Sequence, residues 1–138
     1  MKHQKLIERL DLNTTPKGQL KAAVRHIERG IERIRTKGWC QGELEDPSSG
    51  EVCALGAMGF RHYSDAKPAQ TAAAKLVVVG IKEVQPKAKL EKFWHSNDIE
   101  VKDTVTGWND KKGRRKQDVL KAFRRAVKIG NSLIEARG

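Results

Sequence analysis

The side chains able to do chemistry in this 138-residue chain gather in a few places. Between Gly38 and Phe60 lie both cysteines, Trp39, five of the twelve glycines and the densest acidic cluster, Glu43, Glu45, Asp46 and Glu51. Cys40, Cys53 and His62 are residue types that bind zinc. Zinc, however, takes four ligands and favours a tight C-x2-4-C pair. Twelve residues separate Cys40 from Cys53, and His26 or His95 would have to complete the set from afar. Neither a metal nor any other cofactor is expected on this pattern. Cys53 reads as a core residue and Cys40 as the neighbour of a tryptophan.

Nucleophilic chemistry has parts here but no recognised arrangement. Ser48 and Ser49 sit in "EDPSSGE", where hydroxyls are expected to bond the turn's own backbone. The four carboxylates could serve as acid–base pairs, yet an exposed loop holds such groups poorly. "ALGAMGF" lacks the Lys-Ser/Thr ending of a phosphate-binding loop and follows no clear strand. A second cluster, "GWND" at Gly107 to Asp110, has two readings. Trp108 is a buried indole followed by two residues suited to capping or closing a turn. Alternatively, Trp108, Asn109 and Asp110 join Trp39, Gln41 and Cys53 around a pocket, as in a small hydrolase or ligand-binding protein.

Charge supplies the third candidate. Residues 1–37 carry ten Lys/Arg against four acids, and residues 111–138 carry ten against two. The stretch 38–66 reverses this with one against five, while 67–110 carries seven against six. The net +11 is thus concentrated at both ends and suits polyanions or acidic protein surfaces. At the C-terminus, Arg114, Lys121, Arg124, Arg125 and Lys128 cluster on one side of a helical pattern with almost no internal pairing. In the first long helical pattern, by contrast, Glu28 and Glu32 alternate with Arg25, Arg29, Arg33 and Arg35. The C-terminal cations could neutralise phosphates, although few aromatics are present to stack on bases.

The elements that must position these groups are mostly helical. In "TPKGQLKAAVRHIERGIERIRTKG", Thr15 is placed to cap, Pro16 to open and Gly38 to end a helix. Leu20, Val24, Ile27, Ile31 and Ile34 form its apolar stripe. Gly30 costs it about 1 kcal/mol relative to Ala. Leu6, Ile7 and Leu10 predict a short helix upstream. Apolar residues flanking the Asp-Pro turn predict a short β-hairpin near residues 39–53, or an Ω-like loop. A further helix begins near Val52 to Ala54, facing inward through Ala54, Leu55, Met58 and His62.

"KPAQTAAAKLVVVG" (Lys67 to Gly80) reads as a helix started by Pro68, with Ala69, Ala72, Ala73, Leu76 and Val77 inward. Its triple valine could equally be strand. "PKAKLEKFWHSND" (Pro86 to Asp98) reads as a short helix facing in through Leu90, Phe93 and Trp94. "IEVKDTVTGWND" is ambiguous, since Ile99 and Val101 alternate like a strand while Asp103 could cap a helical turn. From about Arg114 to Ala136 the pattern is helical, with Val119, Leu120, Phe123, Ala126, Val127, Gly130, Leu133 and Ile134 in one stripe.

Four of these stretches, "GWCQGE", "GEVCALGAMG", "WNDKKGR" and "DVLKAFRRAV", resemble in that order a family of small uncharacterised proteins of actinobacteria and their phages. Its pattern runs Gly-Trp-x-Gln-Gly, an acidic turn, Cys-Ala-Leu-Gly-Ala, Trp-Asn-Asp and a closing amphipathic helix. The likeness covers roughly Leu20 to Val127. Cys40 departs from it, standing where a hydroxyl residue is commoner, and so does Arg115, where a threonine often caps the last helix. The resemblance implies a mainly helical fold and a mobile-element origin, and it carries no activity.

The sequence therefore predicts one mainly α domain over residues 1–138, a bundle of about five helices with a short hairpin. No apolar run approaches the roughly 20 residues of a membrane span, and the charged N-terminus is unlike a secretory signal. A cytoplasmic location with reduced thiols is expected, in the host cytoplasm if the chain is phage-encoded. The expected role is non-catalytic: engagement of nucleic acid through the C-terminal basic helix, or inhibition or adaptation of an acidic host protein. The "GWCQGE" to "GAMG" stretch is expected to act as a structural clasp with an acidic tip.

Overall fold

Three long helices make the body. A computed structural model of the chain describes residues 3–94 and 100–138. Among these, α1 spans Gln4–Arg9, α2 Lys17–Lys37, α3 Ala54–Ala57, α4 Pro68–Val84, α5 Val101–Asn109 and α6 Lys116–Ala136, with a 3-10 turn at Leu90–Phe93. Helices α2, α4 and α6 each pack on the other two, giving a triangular bundle, and α3 and α5 close one side of it. No named strand occurs among the described residues.

The apolar stripes decide who faces whom. In α2 the buried face is Leu20, Ala23, Val24, Ile27, Gly30 and Ile34. In α6 it runs from Val119 through Phe123 and Ala126 to Leu133. Helix α4 is different, because Ala72–Ala74 and Leu76–Ile81 are all buried. A helix apolar all round belongs in the interior, and this one supplies the centre of the bundle. That context resolves the triple valine as helix, which continues four residues past Gly80.

Glycines inside these helices mark backbone contact. A Cβ on Gly80 would lie 2.4 Å from the carbonyl oxygen of Ala122, and one on Gly30 would lie 2.8 Å from Phe123 Cε2 and 3.2 Å from Ala57 O. The helix propensity lost at these positions is offset by closer packing of α4 on α6 and of α2 on α3 and α6.

Several local expectations are corrected. The hairpin near residues 39–53 does not form. Val52 instead makes two isolated bridges, parallel to Trp39 and antiparallel to Glu45. The segment 39–45 bends at Gly42, whose φ of 87° favours glycine, so it reaches Val52 from two sides. Thr15 does not cap α2: its hydroxyl donates to the Asp11 carbonyl at 2.8 Å, and Pro16 takes the cap position. Gly38 ends α2 with φ 95° and ψ 171°, a glycine-only extended geometry rather than the left-handed helical one. Helix α3 stops at Ala57, so His62 falls beyond it and is exposed. The predicted helix reaching Asp98, the alternation at Ile99 and His95 as a distant ligand all lie wholly or partly outside the described residues. Val101 belongs to α5.

The chain ends are tied together. Ile7, Leu10 and Leu12 are buried beside the bundle, and the Arg137 guanidinium donates to the carbonyls of Leu12 (3.0 Å) and Asn13.

Candidate functional site: a polar clasp and a cationic groove

The six residues of the tryptophan motifs do converge in part, but on one another. Asn109 is fully buried at the end of α5. Its Oδ1 accepts from Trp39 Nε1 at 2.7 Å and from the Ala54 N–H at 3.1 Å. Its Nδ2 donates to the Cys40 carbonyl at 3.2 Å and to Asp110 Oδ1 at 2.9 Å. Gln41 Nε2 donates to the carbonyls of Asn109 and Lys111, both at 3.0 Å, and the Gly42 N–H donates to Asp110 Oδ1 at 3.0 Å. One amide side chain therefore joins the α2–α3 segment to α5 and satisfies the first N–H of α3. The arrangement engages Trp39 Nε1, Gln41 Nε2, both polar atoms of the Asn109 amide and Asp110 Oδ1 internally, which is how a clasp is built. Trp108 points elsewhere, with its Nε1 on Gln85 Oε1 at 3.1 Å.

The acidic tip closes on itself as its turn chemistry requires. Asp46 Oδ1 accepts from the N–H groups of Ser48 (2.8 Å) and Ser49 (3.3 Å), and the Asp46 N–H donates to Glu51 O at 2.8 Å.

Burial disfavours the thiolate form of both cysteines. Cys53 is buried and its sulfur accepts from the Gly56 N–H at 3.5 Å. Burial raises its pKa, with the backbone bonds opposing. Cys40 Sγ bonds the carbonyls of Glu43 (3.5 Å) and Glu51 (3.4 Å). Desolvation first, and the neighbouring Cys53 second, push its pKa up to about 11 from 9.0. A thiol reacts through its thiolate, so Cys40 should alkylate about one hundredfold more slowly at pH 8 in the native protein than in urea. Iodoacetamide labelling followed by mass spectrometry checks this, and equal rates would show an accessible, ordinary thiol. Because the folded-state pKa is raised, this contribution to stability is complete below pH 9 and fades as pH climbs towards 11. Among the described residues, no three His, Cys, Asp or Glu side chains come together to hold a metal ion.

The five cations expected on the last helix separate into two groups. Arg114 is not on the helix, which begins at Lys116, where Asp118 accepts from the Arg115 N–H at 2.9 Å. Arg114 instead stacks on the Trp108 ring at 4.2 Å, donates through Nε to Trp108 O at 2.8 Å and through Nη1 to Gln85 Oε1 at 3.0 Å. Desolvation lowers its pKa from the usual guanidinium value.

Lys121, Arg124, Arg125 and Lys128 do share one face. They line a groove of about 530 Å³ together with Glu28 and Ile31 of α2, Val84 at the end of α4, and Val127. Arg125 is paired with Glu83 at 2.9 Å, whereas Lys121, Arg124 and Lys128 make no ion pair among the described residues. Ile31 and Val127, read from periodicity as buried stripe, are only half-buried and form the aliphatic floor with Val84. Val84 was not legible as a site residue. It lies past the glycine at which the helix pattern was judged to end, and only the crossing of three helices brings it under the cations.

These features define a small helical domain whose three-helix body is closed by a polar clasp and flanked by a cationic groove. Residues 13–129 match DUF6197, a family of unknown function, and the chain belongs to that family. No curated protein and no solved structure matches the chain.

Proposed function

We propose that the protein is a non-catalytic binding protein that holds an acidic, amphipathic protein segment along α6. The observation carrying this reading is the aliphatic floor of Ile31, Val84 and Val127 inside a rim of Lys121, Arg124, Arg125 and Lys128. An amphipathic helix laid in such a groove buries apolar side chains on the floor and sets carboxylates against the rim. Nucleic acid would use the same cations for its phosphates, but the floor has no aromatic face for a base. The role we propose for it is that of an accessory, host-modulating protein of a mobile element acting in the cytoplasm.

The test is fluorescence anisotropy with a library of acidic amphipathic helical peptides, alongside mixed-sequence duplex and single-stranded DNA. Peptide binding should weaken about tenfold in a Lys121→Gln/Lys128→Gln variant and about as much in Val127→Asp. DNA binding that is tighter than any peptide's and indifferent to Val127→Asp would replace this reading with the nucleic-acid one.

A further inference from the structure

A second concavity, about 250 Å³, lies where the end of α4, the 3-10 turn and the α5–α6 connection meet. Lys87, Lys89, Lys92, Lys111 and Arg114 line it, together with Gln85, Phe93 and Trp108, and no carboxylate lines it among the described residues. We propose that this concavity binds a compact phosphate-rich anion, either a free polyphosphate chain or the triphosphate tail of a nucleotide.

The cations come from two separate segments, Lys87 to Lys92 and Lys111 to Arg114, and it is the fold that brings these two basic runs to one hollow. Two of them are held by rings: Arg114 stacks on Trp108 at 4.2 Å, and Lys92 lies 5.1 Å from the Phe93 centroid. The Phe93 ring tip is lodged against Gly107, where a Cβ would fall 2.2 Å from its carbons. The rings thus serve to fix cations, and phosphate rather than base is what the site reads.

Helix-end capping does not account for the whole set. Lys82 donates to Ala88 O at 2.6 Å and Arg114 to Trp108 O at 2.8 Å, so these two satisfy helix-end and turn carbonyls. The side chains of Lys87, Lys89 and Lys111 make no ion pair or hydrogen bond among the described residues. The carboxylate of the 3-10 turn, Glu91, is taken by Lys82 at 3.0 Å. Several like charges left facing one hollow repel one another, and a multivalent anion relieves that repulsion. The volume falls just below the roughly 300–1,000 Å³ of ordinary ligand pockets, which selects a short, dense anion.

The experiment is calorimetric titration of the full chain with inorganic tripolyphosphate, ATP, GTP and a single-stranded oligonucleotide at low salt, with thermal melting in parallel. Tripolyphosphate, ATP and GTP should bind with affinities within about threefold of one another and raise the melting temperature by mass action. Lys89→Gln/Lys111→Gln, at two exposed positions, should weaken tripolyphosphate at least about tenfold. Lys121→Gln/Lys128→Gln, in the α6 groove, should leave it unchanged. Three results overturn the proposal: no tripolyphosphate binding, equal weakening by both variant pairs, or an oligonucleotide bound more tightly than tripolyphosphate. Failure here leaves the α6 groove reading untouched, because the two sets of variants share no residue.

Discussion

Asn109→Ala is expected to cost about 3–5 kcal/mol of stability, because it removes the partner of several groups at once. Trp39 Nε1 and the Ala54 N–H lose the only acceptor described for them, Asn109 Oδ1. Each buried donor left unpaired costs about 1–3 kcal/mol, and a small cavity adds to that. The Cys40 carbonyl loses a donor as well. For a domain of this size the deficit lowers the melting temperature by more than about 10 °C. Asn109→Asp separates the contributions. It keeps an oxygen for Trp39 and Ala54 but places a second oxygen against Cys40 O and Asp110 Oδ1, so it too should be strongly destabilised at neutral pH. Urea denaturation of the three proteins measures this, and a loss below about 1 kcal/mol in Asn109→Ala would show that the clasp is not held through this amide.

The second large effect runs against helix propensity. Replacing glycine by alanine inside a helix usually gains up to about 1 kcal/mol. Gly80→Ala should instead lose about 3 kcal/mol. The new methyl carbon would sit 2.4 Å from Ala122 O and 3.1 Å from the Ala126 nitrogen, both backbone atoms of α6. Neither can swing aside as a side chain would, so α4 and α6 must separate along the largest interface of the bundle. Gly18→Ala is the matching control: it lies in the first turn of α2, and its Cβ would meet nothing within 4 Å. That variant should be neutral or slightly stabilised. Thermal melting of both variants decides it, and a stabilised Gly80→Ala would mean that the helices pack less closely than described.

The same glycine shows where sequence reasoning was sound and where it could not reach. Periodicity alone identified α2 and α6, because an amphipathic helix announces its buried face every three to four residues. For α4 it gave a helix opened by Pro68 but left the triple valine open to strand, since a helix buried along most of its surface has little polar face to reveal its period. The clasp was legible as a unit in Trp39, Cys53 and the Asp-Pro turn. Asn109 was grouped with Trp39 only in the alternative pocket reading; that its amide bonds the indole at 2.7 Å across 70 residues, and does not face a ligand, was decided by the tertiary structure.

Charge behaves likewise. The excess of cations towards the C-terminus is a property of the sequence, and so is the spacing that puts Lys121, Arg124, Arg125 and Lys128 on one side of α6. What each cation does was decided by tertiary contacts. Glu83 of α4 reaches Arg125, and Trp108 of α5 captures Arg114 before the helix begins. Val84 and Ile31 turn the remaining face into an aliphatic-floored groove. Composition and local periodicity depend on near neighbours and can be read along the chain. Ion pairs, caps and hollows depend on which distant segments meet, and that follows only from how three apolar helix faces find their common packing.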